Sequence, residues 1–236
     1  KDFVEQSSDE ILGELTRRSG GDLDLTQNSA WQEQIEILKA LQLSPVDYSS
    51  AKIYFEYTIP RLGRRADVIL IIDHILFVLE FKAGESKFNA SALDQVWDYA
   101  LDLKNFHDAS HSICIAPILV ATKAEPQKIE LQRTVHDDGL IRPIRASAED
   151  LHEVIAKVRD DLKAPRIDIV SWESGRYLPT PTIIEAARAL YAGHSVESIS
   201  RNDAGAQNLT TTSKAIDQII ESSRISGKKA ICFVTG

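Results

Sequence analysis

The chain has 236 residues, of which 43% are hydrophobic and 26% are charged, as in an ordinary globular protein. This composition excludes collagen-like, wholly disordered and long coiled-coil proteins, and no apolar run approaches the ~18 residues of a membrane span. The formal net charge of −8 argues against a protein that coats nucleic acid over its whole surface. Cys114 and Cys232 both lie in apolar runs, which predicts two free buried thiols and a reducing, cytoplasmic location.

Two helices open the chain. The first is predicted from Ser8 to Arg18, with a Ser cap, acidic residues in its first turn and two glycines after its end. The second is predicted from about Ala30 to Leu41, because its apolar residues recur every three or four positions. Between residues 52 and 82 the pattern changes to three strands, IYFEYTI, ADVILII and ILFVLEFK, which are rich in β-branched and aromatic residues.

A crossover helix follows the third strand. Apolar spacing predicts this helix over 91–106, and the continuous apolar run 113–122 then predicts a strand buried on both faces. A strand–helix–strand connection makes the two strands parallel, so we expect an α/β fold with a mixed sheet flanked by helices. Ser147 and Asp150 stand at the cap and third positions of one more predicted helix.

The character of the sequence changes after residue 165. Two further helices are predicted over 180–193 and 214–223, separated by the polar loop RNDAGAQNLTTTS, and KKAICFVTG then predicts a strand. The predicted divisions of the chain are a first domain over 1–165, a helical linker over 166–225 and the start of a further domain over 226–236.

The residues that can carry chemistry lie in RRADVILIIDHILFVLEFK. If Asp73-His74 is a two-residue hairpin turn, Asp67 lies opposite Glu80, and Arg65 lies opposite Lys82. Side chains alternate along a strand, so Glu80 and Lys82 share a face. Opposed residues have Cβ atoms about 4.5–5.5 Å apart, so two carboxylates and one ammonium are expected to meet at one small site.

Two opposed carboxylates need a neutralising partner, because like charges directly across a β-ribbon are destabilising. Mg²⁺ takes one or two protein carboxylates together with waters and substrate phosphate, which fits this sparse ligand set. The acid-x-Lys spacing occurs elsewhere in the chain, but only here does it end an apolar strand whose hairpin partner carries an Asp. The alternative is a surface charge cluster in which Lys82 pairs with Asp67 and Glu80.

An Asp on one strand and Glu-x-Lys on the next, within this order of helices and strands, resembles the PD-(D/E)XK restriction-endonuclease-like nucleases. Ala66 stands where the family name has Pro. Gln95 and Tyr99, in the helix that follows, form a Q-x-x-x-Y pattern that resembles the exonuclease-type subgroup. The i, i+4 spacing places both on one helix face; the alternative is a polar pair with Tyr99 in the packing.

The resemblance implies a role for each of these residues. Mg²⁺ or Mn²⁺ is expected to be held by Asp67, Glu80 and the backbone carbonyl of Phe81, with Glu56 as an additional acid. Lys82 is expected to orient the attacking water and to offset charge on the phosphate.

Further roles follow from the same resemblance. Gln95 is expected to orient Lys82 or the water, and Tyr99 to contact a neighbouring phosphate. The stretch 52–65 carries a local charge of +3 and is expected to hold the DNA backbone, although it can also be read as a solvated basic loop. Its backbone-binding residues are Arg61, Arg64 and Arg65.

The order of the whole chain resembles the N-terminal part of bacterial Schlafen-like nuclease–helicase proteins. The resemblance implies that 226–236 is the first strand of a P-loop ATPase domain, with Gly236 as the first Gly of a Walker A loop. ATP is therefore expected to bind only in a missing C-terminal domain.

The expected function is that of a Mg²⁺-dependent nuclease domain that hydrolyses phosphodiester bonds of DNA, with RNA left open. It is expected to belong to a cytoplasmic nuclease–helicase protein that acts in antiphage or foreign-DNA defence, with the helicase-like ATPase domain as partner and no membrane. The alternative is a catalytically silent domain that binds nucleic acid or a partner and regulates the ATPase.

Overall fold

The structure is a computed structural model. It describes residues 3, 5–19, 25–41, 51–60, 63–134, 138–177, 206–227 and 229–232. The chain forms two compact units, Lys1–Pro179 and Thr180–Gly236. None of the helices in these described ranges is both long and apolar enough to cross a membrane.

The first unit contains five α-helices, one short 3-10 helix (Asp108–Ser110) and five strands in its described residues. Its helices are α1 (Ser8–Arg18), α2 (Leu25–Lys39), α3 (Ala90–Phe106), α4 (Leu151–Asp161) and α5 (Ile169–Glu173). Its strands are β1 (Lys52–Ile59), β2 (Arg64–Ile72), β3 (Ile75–Lys82), β4 (Cys114–Ala121) and β5 (Ile144–Ala146). The second unit contributes α6 (Ala206–Ser226).

The strands form one mixed sheet in the order β1-β2-β3-β4-β5. β1, β2 and β3 are antiparallel neighbours, whereas β3, β4 and β5 run parallel. The predicted crossover is confirmed, because α3 connects the parallel neighbours β3 and β4. β4 is buried at every position, as its continuous apolar sequence predicted.

Two apolar layers cover the sheet. On the α3 face, Ile69, Leu76 and Val78 pack with Val96 of α3 and Trp172 of α5. The opposite face, which we call the α4 face, packs against α2 and α4. Its central residues are Val68, Leu70, Phe77 and Leu79 from the hairpin and Val154 and Val158 from α4.

The β2–β3 hairpin has the predicted register. Paired residues run from Ile72↔Ile75 at the turn to Val68↔Leu79. Asp73 has a φ of 56°, and an Asp tolerates this left-handed conformation better than a β-branched residue does. Since the turn has two residues, it fixes which side chains can face each other along the ribbon.

Several boundaries differ from the prediction. α2 begins at Leu25, earlier than predicted. Ser147 and Asp150 make the predicted reciprocal hydrogen bonds, but the helix starts at Leu151, so that Asp150 is its N-cap rather than its third residue. A turn over 148–150 separates the two positions and absorbs the difference.

The predictions for the C-terminal part are corrected in three places. Residues 206–213, predicted as a polar loop, are helical and extend α6 beyond the predicted 214–223. Residues 229–232 form no strand, and the described part of this unit contains no strand with which they could pair. Cys232 is therefore exposed, whereas Cys114 is buried as predicted. The predicted helix over 180–193 lies outside the described residues.

Candidate active site at the hairpin mouth

The open end of the β2–β3 hairpin brings together five of the predicted residues. We call this group, Asp67, Glu80, Lys82, Gln95 and Tyr99, the hairpin mouth. Strand alternation places Glu80 and Lys82 on the α3 face, since Leu76 and Val78 of the same strand pack there. Gln95 and Tyr99 stand one turn apart on α3 and point at this face.

Gln95 is the centre of the hydrogen-bond network at the mouth. Its amide nitrogen donates to Glu80 Oε1 at 2.8 Å and to the Tyr99 hydroxyl at 2.9 Å. Its amide oxygen accepts from Lys82 Nζ at 3.3 Å, and the same ammonium donates to Glu80 Oε1 at 2.8 Å. The structure therefore joins the Q-x-x-x-Y pair to the Glu-x-Lys pair directly.

Asp67 enters the mouth from β2 through a contact with the backbone. Its Oδ2 accepts a hydrogen bond from the Phe81 amide at 2.7 Å. Asp67 lies one position beyond the last β2–β3 pair, Val68↔Leu79, so neither predicted opposition, Asp67 with Glu80 or Arg65 with Lys82, is a pair of this ladder. In a longer β2–β3 ladder, the Phe81 N–H would donate to a backbone carbonyl of β2; here it donates to the Asp67 carboxylate instead.

The neighbouring strand is distorted at the same level. In β1, Glu56 has a φ of 50° and stands between the pairs Phe55↔Val68 and Tyr57↔Ala66, opposite the position of Asp67. A non-glycine residue in this conformation carries local strain that its surroundings must hold in place. One pair is missing from the ladder at Glu56 and Asp67, and pairing has the same register on both sides of the gap.

The hairpin mouth contains more acidic groups than basic groups. Burial raises the pKa of Glu80, although the Lys82 ammonium opposes the shift. Burial and then the Glu80 charge raise the pKa of Asp67 to about 7. Glu80 Oε2 is buried and has no hydrogen-bond partner in the described part of the chain. Two carboxylates share one ammonium, so the mouth holds an excess negative charge when both are ionised.

Tyr99 is almost fully buried, at 1% exposure, and burial raises the pKa of its hydroxyl. The phenol therefore stays protonated at neutral pH and can donate a hydrogen bond while it accepts one from Gln95. Its ring is part of the packing, as the alternative interpretation expected, and its hydroxyl also belongs to the polar network.

Glu56 is held beside the mouth by two other residues. Its Oε1 accepts from the indole N–H of Trp31 at 2.6 Å, and its Oε2 lies 3.3 Å from Arg65 Nε. Its charge contributes to the raised pKa of Asp67, but both of its oxygens are engaged elsewhere. Sequence reasoning missed Trp31, and the signal was available, because a buried indole N–H needs an acceptor.

The predicted basic stretch is divided between the two faces of the sheet. Arg64 is exposed, and its charge influences Tyr99 on the α3 face. Arg65 pairs with Glu56, and its side chain is 50% exposed. Adjacent residues of a strand point to opposite faces, which explains the separation. Arg61 lies outside the described residues.

The donors at the mouth fit a hard divalent cation. No group of three or more His, Cys, Asp or Glu with metal-binding geometry occurs within the described ranges. Mg²⁺ needs fewer protein ligands than this, and Asp67 with the unpartnered Glu80 Oε2 supplies two. The backbone N–H and C=O of one strand residue point to the same neighbouring strand. Because the Phe81 N–H donates to Asp67 of β2, the Phe81 carbonyl also faces β2.

A separate cleft of about 580 Å³ opens among α1, α2 and β1. Trp31, Glu56 and Arg65 line it, but Asp67 and Glu80 do not. It is therefore distinct from the hairpin mouth.

Comparison of the chain with models of protein families, with curated proteins and with solved structures finds no match. The functional interpretation accordingly rests on the residues and their geometry.

Proposed function

We propose that this chain is a metal-dependent nuclease domain that hydrolyses phosphodiester bonds of DNA. The observation that carries the proposal is the Glu80 carboxylate beside Asp67, whose Oε1 accepts from Lys82 and Gln95 while its buried Oε2 has no hydrogen-bond partner among the described residues. A buried carboxylate oxygen without a partner is costly, and a cation at the mouth removes that cost. The chain's resemblance to PD-(D/E)XK nucleases supports the same assignment and a restriction-endonuclease-like fold.

Asp67, Glu80 and the Phe81 carbonyl are the groups that would hold Mg²⁺ or Mn²⁺. When bound, the cation supplies Lewis-acid stabilisation of charge on the phosphoryl oxygens. The side chain of Lys82 is 29% exposed, so its ammonium is open to solvent while it is anchored on Glu80. In this position it can contact a phosphate oxygen and offset the charge that develops during cleavage.

Gln95 positions the other groups of the mouth. Because it accepts from Lys82 and donates to Glu80, it fixes the angle between ammonium and carboxylate. The Tyr99 hydroxyl, which stays protonated, accepts a hydrogen bond from the Gln95 amide and so limits its rotation. The network thus orients the reactive groups before substrate arrives, which reduces the reorganisation needed for reaction.

The substrate is proposed to be DNA, held at its backbone by Arg64 and, once separated from Glu56, by Arg65. Arg61 belongs to the same basic stretch. Backbone contacts of this kind give salt-dependent affinity without reading base sequence. By resemblance, the domain serves a cytoplasmic nuclease–helicase protein that acts against foreign DNA, together with an ATPase domain.

The test is a cleavage assay on supercoiled and labelled linear DNA with Mg²⁺ or Mn²⁺. Glu80→Ala and Lys82→Ala are expected to lower cleavage by about a hundredfold or more. Glu85→Ala and Lys87→Ala are the matched controls, since they repeat the same acid-x-Lys spacing in the exposed segment after β3. The controls are expected to retain wild-type activity.

Cleavage that survives Glu80→Ala would remove the enzymatic assignment from this site. DNA binding without cleavage in either metal would favour the alternative, a catalytically silent domain that regulates the ATPase. Matched RNA and DNA substrates distinguish the two nucleic acids.

A further inference from the structure

We propose that a second basic surface, on the opposite edge of the sheet from β1, binds the DNA backbone on the far side of α3. This β5-edge groove is lined by Lys128, Arg142, Arg145, Glu130 and two glutamines, and has a volume of about 450 Å³. The proposal rests on DNA as the substrate of the hairpin mouth and assigns residues that the predicted basic stretch does not include.

Strand register places Arg145 level with the mouth. Glu80 pairs with Leu119, and Leu119 pairs with Arg145, so the three residues form one row across β3, β4 and β5. Ile144 and Ala146 pack on the α4 face, so the Arg145 side chain lies on the α3 face, as Glu80 does. Two strand spacings put the Cα atoms of Glu80 and Arg145 about 10 Å apart.

The two arginines of the groove are available to a ligand. Arg145 is exposed, and its side chain has no hydrogen bond, ion pair or ring contact with any residue of the described chain. The guanidinium of Arg142 lies 5.1 Å from the centroid of the Trp97 ring. Stacking on an aromatic ring fixes the plane of a guanidinium without using its N–H donors, so Arg142 is already oriented for a phosphate.

The local charge is opposite to that of the chain. The groove lining carries three cationic side chains and one acidic one, Glu130, which pairs with Lys128 at 3.0 Å. The lining therefore has a formal charge of +2, whereas the whole chain has −8. A confined positive groove on an acidic protein attracts a polyanion at one place only.

The chemistry of the groove favours a nucleic-acid backbone. The guanidinium groups and neutral side-chain amides of the groove can donate hydrogen bonds to the phosphate oxygens of a nucleic-acid backbone. Arg142 lies over the Trp97 ring, so the ring is less accessible for stacking with an unpaired base. The groove is therefore assigned to backbone contact rather than to base recognition.

α3 separates the groove from the mouth. Gln95 and Trp97 are two residues apart, which is about 200° around a helix, so they stand on opposite flanks of α3. A DNA backbone that contacts both flanks passes the N-terminal end of α3, whose first turn carries no acidic residue. The Cα separation of about 10 Å is measured across the sheet, and the path around α3, which is itself about 10–12 Å wide, is longer. At about 3.4 Å of rise per nucleotide, a DNA segment of several nucleotides can reach both places.

The experiment measures DNA binding apart from cleavage. The full chain is titrated onto a fluorescein-labelled DNA duplex in EDTA, and anisotropy is recorded between 50 and 200 mM salt. Arg145→Gln and the double variant with Arg142→Gln are expected to weaken binding by about tenfold or more at fixed salt. The salt slope is expected to fall by about one for each arginine that contacts a phosphate.

Two variants control for unrelated effects. Arg17→Gln removes one exposed charge from α1 and is expected to leave binding unchanged. Arg142→Lys keeps the charge but loses the planar guanidinium that stacks on Trp97, and is expected to give an affinity between those of wild type and Arg142→Gln. Arg145→Gln is expected to leave the fold intact, because this exposed side chain makes no hydrogen bond, ion pair or ring contact in the described chain.

The outcomes separate this proposal from the nuclease assignment. Equal binding and equal salt slope for wild type and Arg145→Gln would overturn the groove while leaving Glu80-dependent cleavage intact. A wild-type chain that shows no binding to the duplex would also overturn it. Weakened binding by Arg145→Gln in a protein that never cleaves DNA would support the groove and reject the nuclease.

Discussion

The two ends of the β2–β3 hairpin each place acids beside basic side chains, with opposite electrostatic results. At the turn, Asp73 accepts from Arg166 Nε at 2.7 Å and lies 3.0 Å from His74 Nδ1. The Arg166 hydrogen bond, and then that of His74, lower the pKa of Asp73. At the mouth, burial raises the pKa of both Asp67 and Glu80; the Glu80 charge adds to the rise at Asp67, and the Glu56 charge adds to the rise at Glu80.

The difference shows which end is complete by itself. Asp73 has a partner for each oxygen, and Arg166 and His74 tie the turn to the chain that follows α4. Among the described residues, Glu80 has one buried oxygen without a hydrogen-bond partner, and Asp67 accepts from one backbone amide. A folded chain keeps such a deficit where something else binds, so the mouth has the character of a functional site and the turn that of a structural contact.

The largest expected effect is on cleavage. Asp67→Asn is expected to reduce DNA cleavage by about a hundredfold or more, because it removes a charge that the cation requires. Asp73→Asn, the same chemical change at the other end of the ribbon, is expected to leave cleavage within about twofold of wild type. Initial rates of plasmid nicking measure both, and equal losses in the two variants would erase the distinction.

The next effect concerns positioning. Gln95→Leu is expected to lower kcat by about 10–100-fold with little change in KM, because Lys82 and Glu80 lose their shared orienting partner. Asn105→Leu is the control, since its amide donates to the Leu101 carbonyl of its own helix and makes no other hydrogen bond within the described ranges. A rise in KM at constant kcat would instead place Gln95 in substrate binding.

The ends of the hairpin should also differ in how stability depends on pH. The pKa of Asp67 rises from about 4 in the unfolded chain to about 7 in the folded one, so the folded state binds more protons between these values. Stability of the metal-free protein therefore falls as pH rises from 5 to 8, by a contribution of about 2–3 kcal/mol.

Thermal unfolding in EDTA at pH 5.5 and pH 8 measures this contribution. Asp67→Asn is expected to reduce the pH dependence and to leave only the part due to Glu80, whose pKa is also raised. Mg²⁺ is expected to raise the Tm of wild type but not of Asp67→Asn at pH 8. Asp73→Asn serves as the reference that keeps the wild-type profile in this range. A wild-type Tm that rises toward pH 8 would contradict the electrostatic account of the mouth.

The smallest expected effect is at the turn itself. Asp73→Asn is expected to destabilise the fold by less than about 1 kcal/mol, because its partner Arg166 has a 61% exposed side chain and water screens the pair. The loss is expected to shrink at high salt. Urea unfolding with and without 1 M NaCl tests this, and a salt-independent loss would point to the backbone conformation of Asp73 instead.

Much of the hairpin followed from local rules. The two-residue turn and strand alternation predicted the register and the shared face of Glu80 and Lys82, and i, i+4 spacing predicted that Gln95 and Tyr99 act together. The left-handed backbone at Glu56 and the contacts of its carboxylate with Trp31 and Arg65 did not follow, because they depend on how α2, β1 and β2 come together.

The sequence by itself determined which side chains each element presents, since helix and strand periods are properties of the local backbone. Tertiary structure alone decided that β2–β3 pairing stops before Asp67. It also decided that Glu80 has an oxygen without a hydrogen-bond partner among the described residues, and that Arg145 lies in the same row of the sheet as Glu80. Those facts depend on how β1, β2, β4 and β5 align with β3. Strand order and burial are set by contacts between distant parts of the chain, and no local pattern encodes them.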